Sequence, residues 1–222
     1  MTASVVRRLI LKDLYLVRWL AIATLAGGLF SVAIMPLGAV PAYVGGVSLI
    51  CVIVILNIML VMANVAQERK DKALLFVLSL PVSTAQYTLA KVTANTIVFG
   101  ACWLSLSIAA VAVIDRSSLP NGWIPFLMAV LVYLLAYYCV LLGVAVASDS
   151  GAWHAAVITV GNISVNFVIP FLLGRPSVGP NLKSASAVWT GDIVAFIAIE
   201  AAVGFAALAA CLYARSRARD FV

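Results

Sequence analysis

Glu200 is the residue whose chemistry stands out most, because it is an acid inside a long apolar run, IVAFIAIEAAVGFAALAACL. An ionisable group at membrane depth is costly and is therefore a candidate for function by default. Other polar side chains recur at helical spacing inside apolar runs: Asn57 with Asn64, Tyr133 with Tyr137, and Thr159 with Asn162 and Asn166. We predict a polar path lined by six of these residues: Glu200, Asn162, Asn166, Tyr133, Tyr137 and Asn57.

The same side chains also have a purely structural interpretation. Asn, Thr and Tyr commonly form hydrogen bonds between packed membrane helices, each contributing roughly 1 kcal/mol. Glu200 in its protonated form would pack as a neutral side chain. The sequence leaves the path and the packing interpretations open.

Catalytic and metal-binding patterns are missing from the sequence. The single histidine, His154, has no Cys or His at ligand spacing, and no H-E-x-x-H motif occurs. Ser79, Ser83 and Ser150 lack the G-x-S-x-G setting of a nucleophile. No G-x-x-x-x-G-K-[ST] loop is present to hold a nucleotide. The sequence thus predicts a protein that is not an enzyme, with no metal and no cofactor of its own.

Membrane-spanning helices are the elements predicted to hold these residues. Hydrophobic residues make up 65% of the 222 residues and charged residues 10%, as is typical of a chain surrounded by lipid. A β-barrel is excluded because its strands would alternate apolar and polar residues, whereas residues 49–60 form a nearly unbroken apolar run. The predicted fold is all-α, a single transmembrane domain over residues 1–222. Because one crossing takes roughly 20 apolar residues, six spans are predicted, at residues 19–36, 43–66, 92–114, 123–147, 152–173 and 193–214.

The basic residues set the orientation of the predicted spans. Eleven of the fourteen Lys and Arg residues fall on one side and three on the other. The side with the excess faces the cytoplasm, so we predict a multi-pass protein of the inner (cytoplasmic) membrane with both termini in the cytoplasm. The net charge of +6 favours contact with anionic lipid head groups. No basic stripe interleaved with aromatic residues is present, so nucleic acid is not an expected partner.

Two connecting segments carry further predictions. Residues 1–18 mix apolar and charged side chains and are predicted to form an interfacial helix. A cleaved signal peptide does not fit, because the apolar run that follows is longer than the roughly 7–15 residues of such a peptide. Residues 174–192 are rich in Gly, Pro and Ser and are predicted to form an external loop or a short re-entrant hairpin.

A third segment, residues 67–91, faces the cytoplasm in this orientation. A charged opening, QERKDK, leads into the apolar stretch ALLFVLSL, and Pro81 then interrupts the pattern. Pro cannot continue the preceding helix, and Ser83 or Thr84 can cap the next one. The pattern therefore predicts a helix, a turn and a second helix that enters the membrane. Such an element is stiffly continuous with a span and suits mechanical coupling; an amphipathic interfacial loop is the alternative.

This segment resembles the corresponding part of the permease subunits of type-2 ABC exporters. The shared features are an acid after the second span, a basic cluster, an L-x-L-P-V-S motif, and a Tyr and a Lys at the start of the third span. The N-terminal helix with Lys12 and Asp13, the six spans and the cytoplasmic termini are similar to that family as well. The matching residues are Glu68, Arg69, Lys72, Leu78, Leu80, Pro81, Val82, Ser83, Tyr87 and Lys91.

The resemblance implies that residues 67–91 form a coupling helix, whose residues from Glu68 to Tyr87 dock on a separate cytoplasmic ABC ATPase. It also implies that residues 1–18 are the elbow helix of that family. The implied assembly contains two permease copies, as a homodimer or a related heterodimer, and two ATPase subunits that carry ATP and Mg²⁺. The implied function is ATP-driven export of a hydrophobic or amphipathic substrate.

Two other functions remain compatible with the sequence. A proton-coupled secondary transporter centred on Glu200 would move its substrate without an ATPase, although no inverted repeat is evident. A membrane anchor or scaffold without transport activity would need neither Glu200 nor the tyrosines.

Overall fold

The computed structural model describes residues 2–63, 84–148 and 150–217, and within these ranges the protein contains helices and no strands. Six of these helices are long and apolar enough to cross a membrane, which confirms the predicted all-α polytopic fold. Two short 3-10 helices, Met35–Leu37 and Gly179–Lys183, lie in connections. The six long helices are α1 (Thr2–Ile34), α2 (Ala39–Val61), α3 (Thr84–Arg116), α4 (Trp123–Ala147), α5 (Gly151–Leu173) and α6 (Gly191–Arg217).

α1 and α3 are longer than a membrane crossing requires. Each contains 33 residues, which corresponds to about 50 Å at 1.5 Å per residue, against a hydrocarbon core of about 30 Å. Within the N-terminal segment, residues 2–18 are continuous with the first span in a single helix, and the position of this segment at the membrane surface stays a prediction. Each of these two helices is therefore longer than one crossing along the membrane normal.

α4 lies at the centre of the protein and is covered by neighbours along most of its length. On α3, the Trp103 indole N–H donates a hydrogen bond of 2.8 Å to the carbonyl oxygen of Leu131 on α4. The Phe99 ring on α3 stacks on the Tyr138 ring on α4, with ring centroids 3.9 Å apart. Because a carbonyl oxygen has two lone pairs, Leu131 can accept this bond and still take part in its own helix. These contacts fix α3 against α4.

Small residues allow α6 to approach α4 closely. A Cβ atom placed on Gly204 would lie 2.7 Å from the Cα atom of Ala136, and one placed on Gly143 would lie 3.2 Å from the Cβ atom of Cys211. In both contacts the α6 residue follows the α4 residue by the same number of positions in the sequence, so the two helices run parallel and in register. Close approach at small side chains is a common way for membrane helices to associate, because van der Waals contact replaces the hydrophobic effect there.

Three of the described connections have identifiable backbone features or hydrogen bonds. Gly38 precedes α2 with a φ of 139°, a left-handed conformation that glycine adopts at little cost. The turn between α4 and α5 is closed by His154, which is buried and whose Nε2 lies 3.0 Å from the Ser148 carbonyl oxygen. The predicted external segment, residues 174–192, folds back so that the Ser184 carbonyl accepts a hydrogen bond of 3.0 Å from the Gly122 N–H at the start of α4.

Candidate functional site

Tyr133 and Tyr137 face α5 from the central helix α4. The Tyr133 hydroxyl forms a short hydrogen bond with the Ser164 hydroxyl, and the Tyr137 hydroxyl donates a bond of 3.3 Å to the carbonyl oxygen of Ile158. The Tyr137 ring packs directly on Gly161, where any side chain would overlap it. The two tyrosines predicted for the path therefore lie on one face, in contact with one neighbouring helix.

Glu200 lies on α6, one helical turn before the close contact of Gly204 with Ala136 on α4. It is partly enclosed, and its Oε2 atom is buried without a hydrogen-bond partner among the described residues. Glu200 interacts electrostatically with Tyr133. Ser164 thus contacts the Tyr133 hydroxyl directly, Glu200 acts on Tyr133 electrostatically, and we refer to Tyr133, Ser164 and Glu200 as the polar cluster. Such a cluster can accept a proton or a polar group of a passing molecule.

Ser164 is the member of this cluster that sequence reasoning missed. It follows Gly161 by one helical turn, on the face of α5 that contacts Tyr137. The signal was a small residue and a hydroxyl spaced for close packing against a tyrosine-bearing helix. Sequence reasoning instead singled out the Asn and Thr residues of the same helix.

Thr159, Asn162 and Asn166 occupy a different face of α5, which we call the Asn face. Thr159 and Asn166 are exposed and Asn162 is half-buried, and the Asn166 amide donates a hydrogen bond of 3.0 Å to the Asn162 carbonyl oxygen. The structure of this single chain does not bring these residues to the polar cluster. Thr159 and Asn166 point away from the other helices instead.

Asn57 on α2 is fully buried. Its Nδ2 atom donates a hydrogen bond of 3.2 Å to the carbonyl oxygen of Leu134 on α4. In this position the side chain bonds two helices together, as the packing interpretation describes.

An apolar cavity of about 160 Å³ lies near the end of the bundle that is predicted to be external. It is lined by residues of α2, α4 and α5, among them Tyr43, Ile50, Trp123, Phe126 and Ile169. The cavity is large enough for part of an apolar chain, and its lining offers such a chain dispersion contacts rather than hydrogen bonds.

Most residues of the predicted coupling site lie outside the described residues, and Tyr87 is the exception. Tyr87 is half-buried on α3, with the Lys91 Nζ atom 5.8 Å from the centroid of its ring. This distance lies within the range of a cation–π interaction. The residues outside the described ranges are Glu68, Arg69, Lys72, Leu78, Leu80, Pro81, Val82 and Ser83.

Lys91 also forms an ion pair that sequence reasoning missed. Its Nζ atom lies 2.8 Å from the Oδ2 atom of Asp13 on α1, and both residues are buried, with exposed fractions of 4% and 2%. The available signal was an acid near the start of the first span and a base near the start of the third, since buried charges are normally paired.

The described part of the chain contains no group of residues suited to bind a metal ion. No set of three His, Cys, Asp or Glu residues there is arranged to hold a metal ion. His154, for which the sequence offers no partner at ligand spacing, contacts the Ser148 carbonyl in the turn between α4 and α5.

Comparison with known protein families identifies the family of this chain. The family model described as ABC-2 family transporter protein matches residues 8–216. The chain belongs to the ABC-2 family of transporter proteins. The match extends from α1 into α6 and confirms the resemblance to type-2 ABC permeases that the sequence suggested. This ABC-2 protein is accordingly a multi-pass membrane component of ABC-type transport and not a catalytic subunit. No curated protein and no solved structure matches it.

Proposed function

We propose that this ABC-2 protein is the permease subunit of an exporter in which a separate cytoplasmic ATPase hydrolyses ATP. The family match over residues 8–216 carries the proposal. The sequence supports it further, because it contains no phosphate-binding loop and its residues 67–91 resemble a coupling helix. The distribution of Lys and Arg supports an inner-membrane protein with both termini in the cytoplasm.

Residues 68–87 of this chain form the proposed site that docks on the ATPase. Glu68, Arg69 and Lys72 would form a polar rim around the apolar residues Leu78 and Leu80, which is the usual arrangement of a protein interface. The last residue of this site, Tyr87, belongs to α3, which continues without interruption to Arg116. A push on the docking site would therefore act directly on a membrane-spanning helix.

Purification of the chain from its native membranes in mild detergent tests this function. We expect a protein with a phosphate-binding loop to accompany it at a near 1:1 ratio by mass spectrometry. Glu68→Ala and Pro81→Ala should release that protein, whereas Lys183→Ala, a change at an exposed lysine of the predicted external loop, should not. If the chain instead purifies alone and transports in proteoliposomes without ATP, a carrier centred on Glu200 becomes the better explanation.

The polar cluster is the part of the proposed path that the geometry supports best. Tyr133, Ser164 and Glu200 are half-buried on α4, α5 and α6, and the apolar cavity near Trp123 and Phe126 supports a hydrophobic or amphipathic cargo. Residues that line the transport path should be exposed to water in at least one nucleotide state of the ATPase. We expect Ser164→Cys and Glu200→Cys to react with a membrane-impermeant thiol reagent in such a state, while Leu134→Cys, at a fully buried packing position, should stay unreactive in every state.

A second copy of the chain is proposed to cover the Asn face of α5. Exposed amides and a hydroxyl in a spanning helix are costly against lipid, because nothing there can bond to them. A second polar face from an identical helix would satisfy these groups, and two-fold pairing of identical surfaces is the commonest form of association. The Asn face would then lie between the two permeases, where Asn162 and Asn166 either join the copies or line a path shared by them.

A further inference from the structure

The ion pair between Asp13 and Lys91 joins α1 and α3, the two longest helices of the described residues. The Lys91 Nζ atom lies 2.8 Å from Asp13 Oδ2, and the exposed fractions of the two side chains are 6% and 2%. Lys12 lies 3.9 Å from the other carboxylate oxygen, but 55% of its side chain is exposed. Lys91 is therefore the close and buried partner of Asp13.

The position of this pair along the helices is informative. A membrane crossing takes about 20 residues. If these are counted back from the ends of α1 at Ile34 and of α3 at Arg116, Asp13 and Lys91 both lie outside the crossing. The pair thus lies where the two helices leave the hydrocarbon on the predicted cytoplasmic side. A single buried charge at this depth would be strongly unfavourable, and the cost of removing one partner is larger than the cost of removing both.

Contacts further along the same two helices keep the same register. A Cβ atom on Gly28 of α1 would lie 2.5 Å from the Leu106 side chain of α3, and positions 28 and 106 follow positions 13 and 91 by the same number of residues. Between these levels, the Cys102 thiol lies 4.0 Å from the Ala21 carbonyl oxygen. α1 and α3 are therefore parallel and packed together from the ion pair into the membrane.

Tyr87 connects the ion pair to the proposed docking site. It is the last residue of that site, it lies one helical turn before Lys91, and its ring is near the Lys91 ammonium group. We infer that the Asp13–Lys91 ion pair makes α1 move together with α3, so that a displacement of the coupling segment reaches two spans rather than one. Asp13 and Lys91 are positioning residues in this inference, which rests on the proposed function.

Distances between spin labels test this inference without knowledge of the substrate. The labels are attached to Cys residues at exposed positions 8 on α1, 89 on α3 and 150 before α5, introduced in pairs into a chain whose four native cysteines are replaced by alanine. Labelled chains are diluted with unlabelled ones, assembled with the ATPase and measured with and without vanadate-trapped ADP. We expect the 8–150 and 89–150 distances to change together on trapping, and the 8–89 distance to stay constant.

Variants of the pair separate its role from general packing. Lys91→Met should abolish the nucleotide-dependent change in the 8–150 distance and leave the change in the 89–150 distance in place. The charge exchange, Asp13→Lys with Lys91→Asp, should restore the joint movement. Lys12→Met removes the neighbouring exposed charge and should have no effect on either distance. If Lys91→Met does not fold, the apolar pair Asp13→Leu with Lys91→Met replaces it, since such exchanges are often tolerated.

The outcomes distinguish this inference from the proposed function. A joint movement that survives in Lys91→Met or in the apolar pair overturns the inference, as does an 8–89 distance that changes on trapping in the parent protein. If no ATPase binds, or if trapping changes none of the three distances, the proposed function itself fails.

Discussion

At the scale of single residues, the polar side chains within the helices divide by what they contact. Asn57 and Trp103 donate hydrogen bonds to backbone carbonyls of α4, so they hold neighbouring helices against the centre of the bundle. Tyr133 belongs instead to a cluster with Ser164 and Glu200. Side chains with similar chemistry and similar spacing therefore have different tasks, which depend on the surface that faces them.

Replacement of Asn57 tests its packing role. Asn57→Leu removes one hydrogen bond but also removes a buried Oδ1 atom that lacks a partner among the described residues. Because these two effects oppose each other, we expect the stability to change by no more than about 1 kcal/mol. The measurement is the thermal unfolding of the purified protein in detergent.

Asn57→Asp is the matched comparison for this change. It keeps the shape of the side chain but replaces the donor by an oxygen that faces the Leu134 carbonyl, and it introduces a charge at a fully buried position. We expect it to lower stability by about 2 kcal/mol or more. Equal effects of Leu and Asp at this position would contradict the packing role.

At the scale of the helices, small residues decide which pairs approach closely. α6 contacts α4 at Gly204 and Gly143. Gly204→Ala should force α6 away from the Ala136 backbone and cost about 1–3 kcal/mol, the usual range for overpacking. Gly100→Ala is the control, because a Cβ atom there meets nothing within 4 Å and alanine is the better helix former. Thermal unfolding should separate the two variants, and similar melting temperatures would argue against close α4–α6 packing.

Gly122 has a comparable role for the segment that folds back over the start of α4. A Cβ atom at Gly122 would overlap the Asn181 carbonyl oxygen, so Gly122→Ala should displace the 3-10 helix Gly179–Lys183. Lys183 is exposed. It is the tryptic cleavage site within residues 174–192, because trypsin does not cleave after Arg175, which precedes a proline. We expect faster tryptic cleavage after Lys183 in Gly122→Ala. Gly191→Ala, where a Cβ atom meets open space, should be cleaved at the parent rate.

At the scale of the whole molecule, the proposed second copy accounts for the exposed Asn face of α5. In a chain without its native cysteines, Thr159→Cys and Asn166→Cys should form cross-linked dimers on mild oxidation in native membranes. Ile108→Cys lies at an exposed apolar position on α3 and should remain monomeric. Cross-linking of equal yield at all three positions would indicate random collision rather than a defined interface.

The six spans, and the absence of strands from the described residues, could be predicted from the sequence because each membrane helix satisfies its own backbone hydrogen bonds and is marked by a local apolar run. The central helix fits this explanation: its predicted bounds, residues 123–147, agree with α4 (Trp123–Ala147). The third helix, which begins at Thr84, runs on into its span as the sequence predicted, whereas the first helix joins the predicted interfacial segment and the first span in one element, because charged residues before a span can continue its helix outside the lipid.

What joins these helices was decided by tertiary structure. The pairing of Asp13 with Lys91, the contact of Tyr133 with Ser164 and the outward direction of Asn166 all depend on how the helices are rotated and which neighbour each face meets. Rotation follows from the fit of small and large side chains between distant parts of the chain, and helical spacing alone does not encode it. The sequence by itself therefore determined the elements and the family, whereas only the packed structure separated the polar cluster from the Asn face and revealed the ion pair.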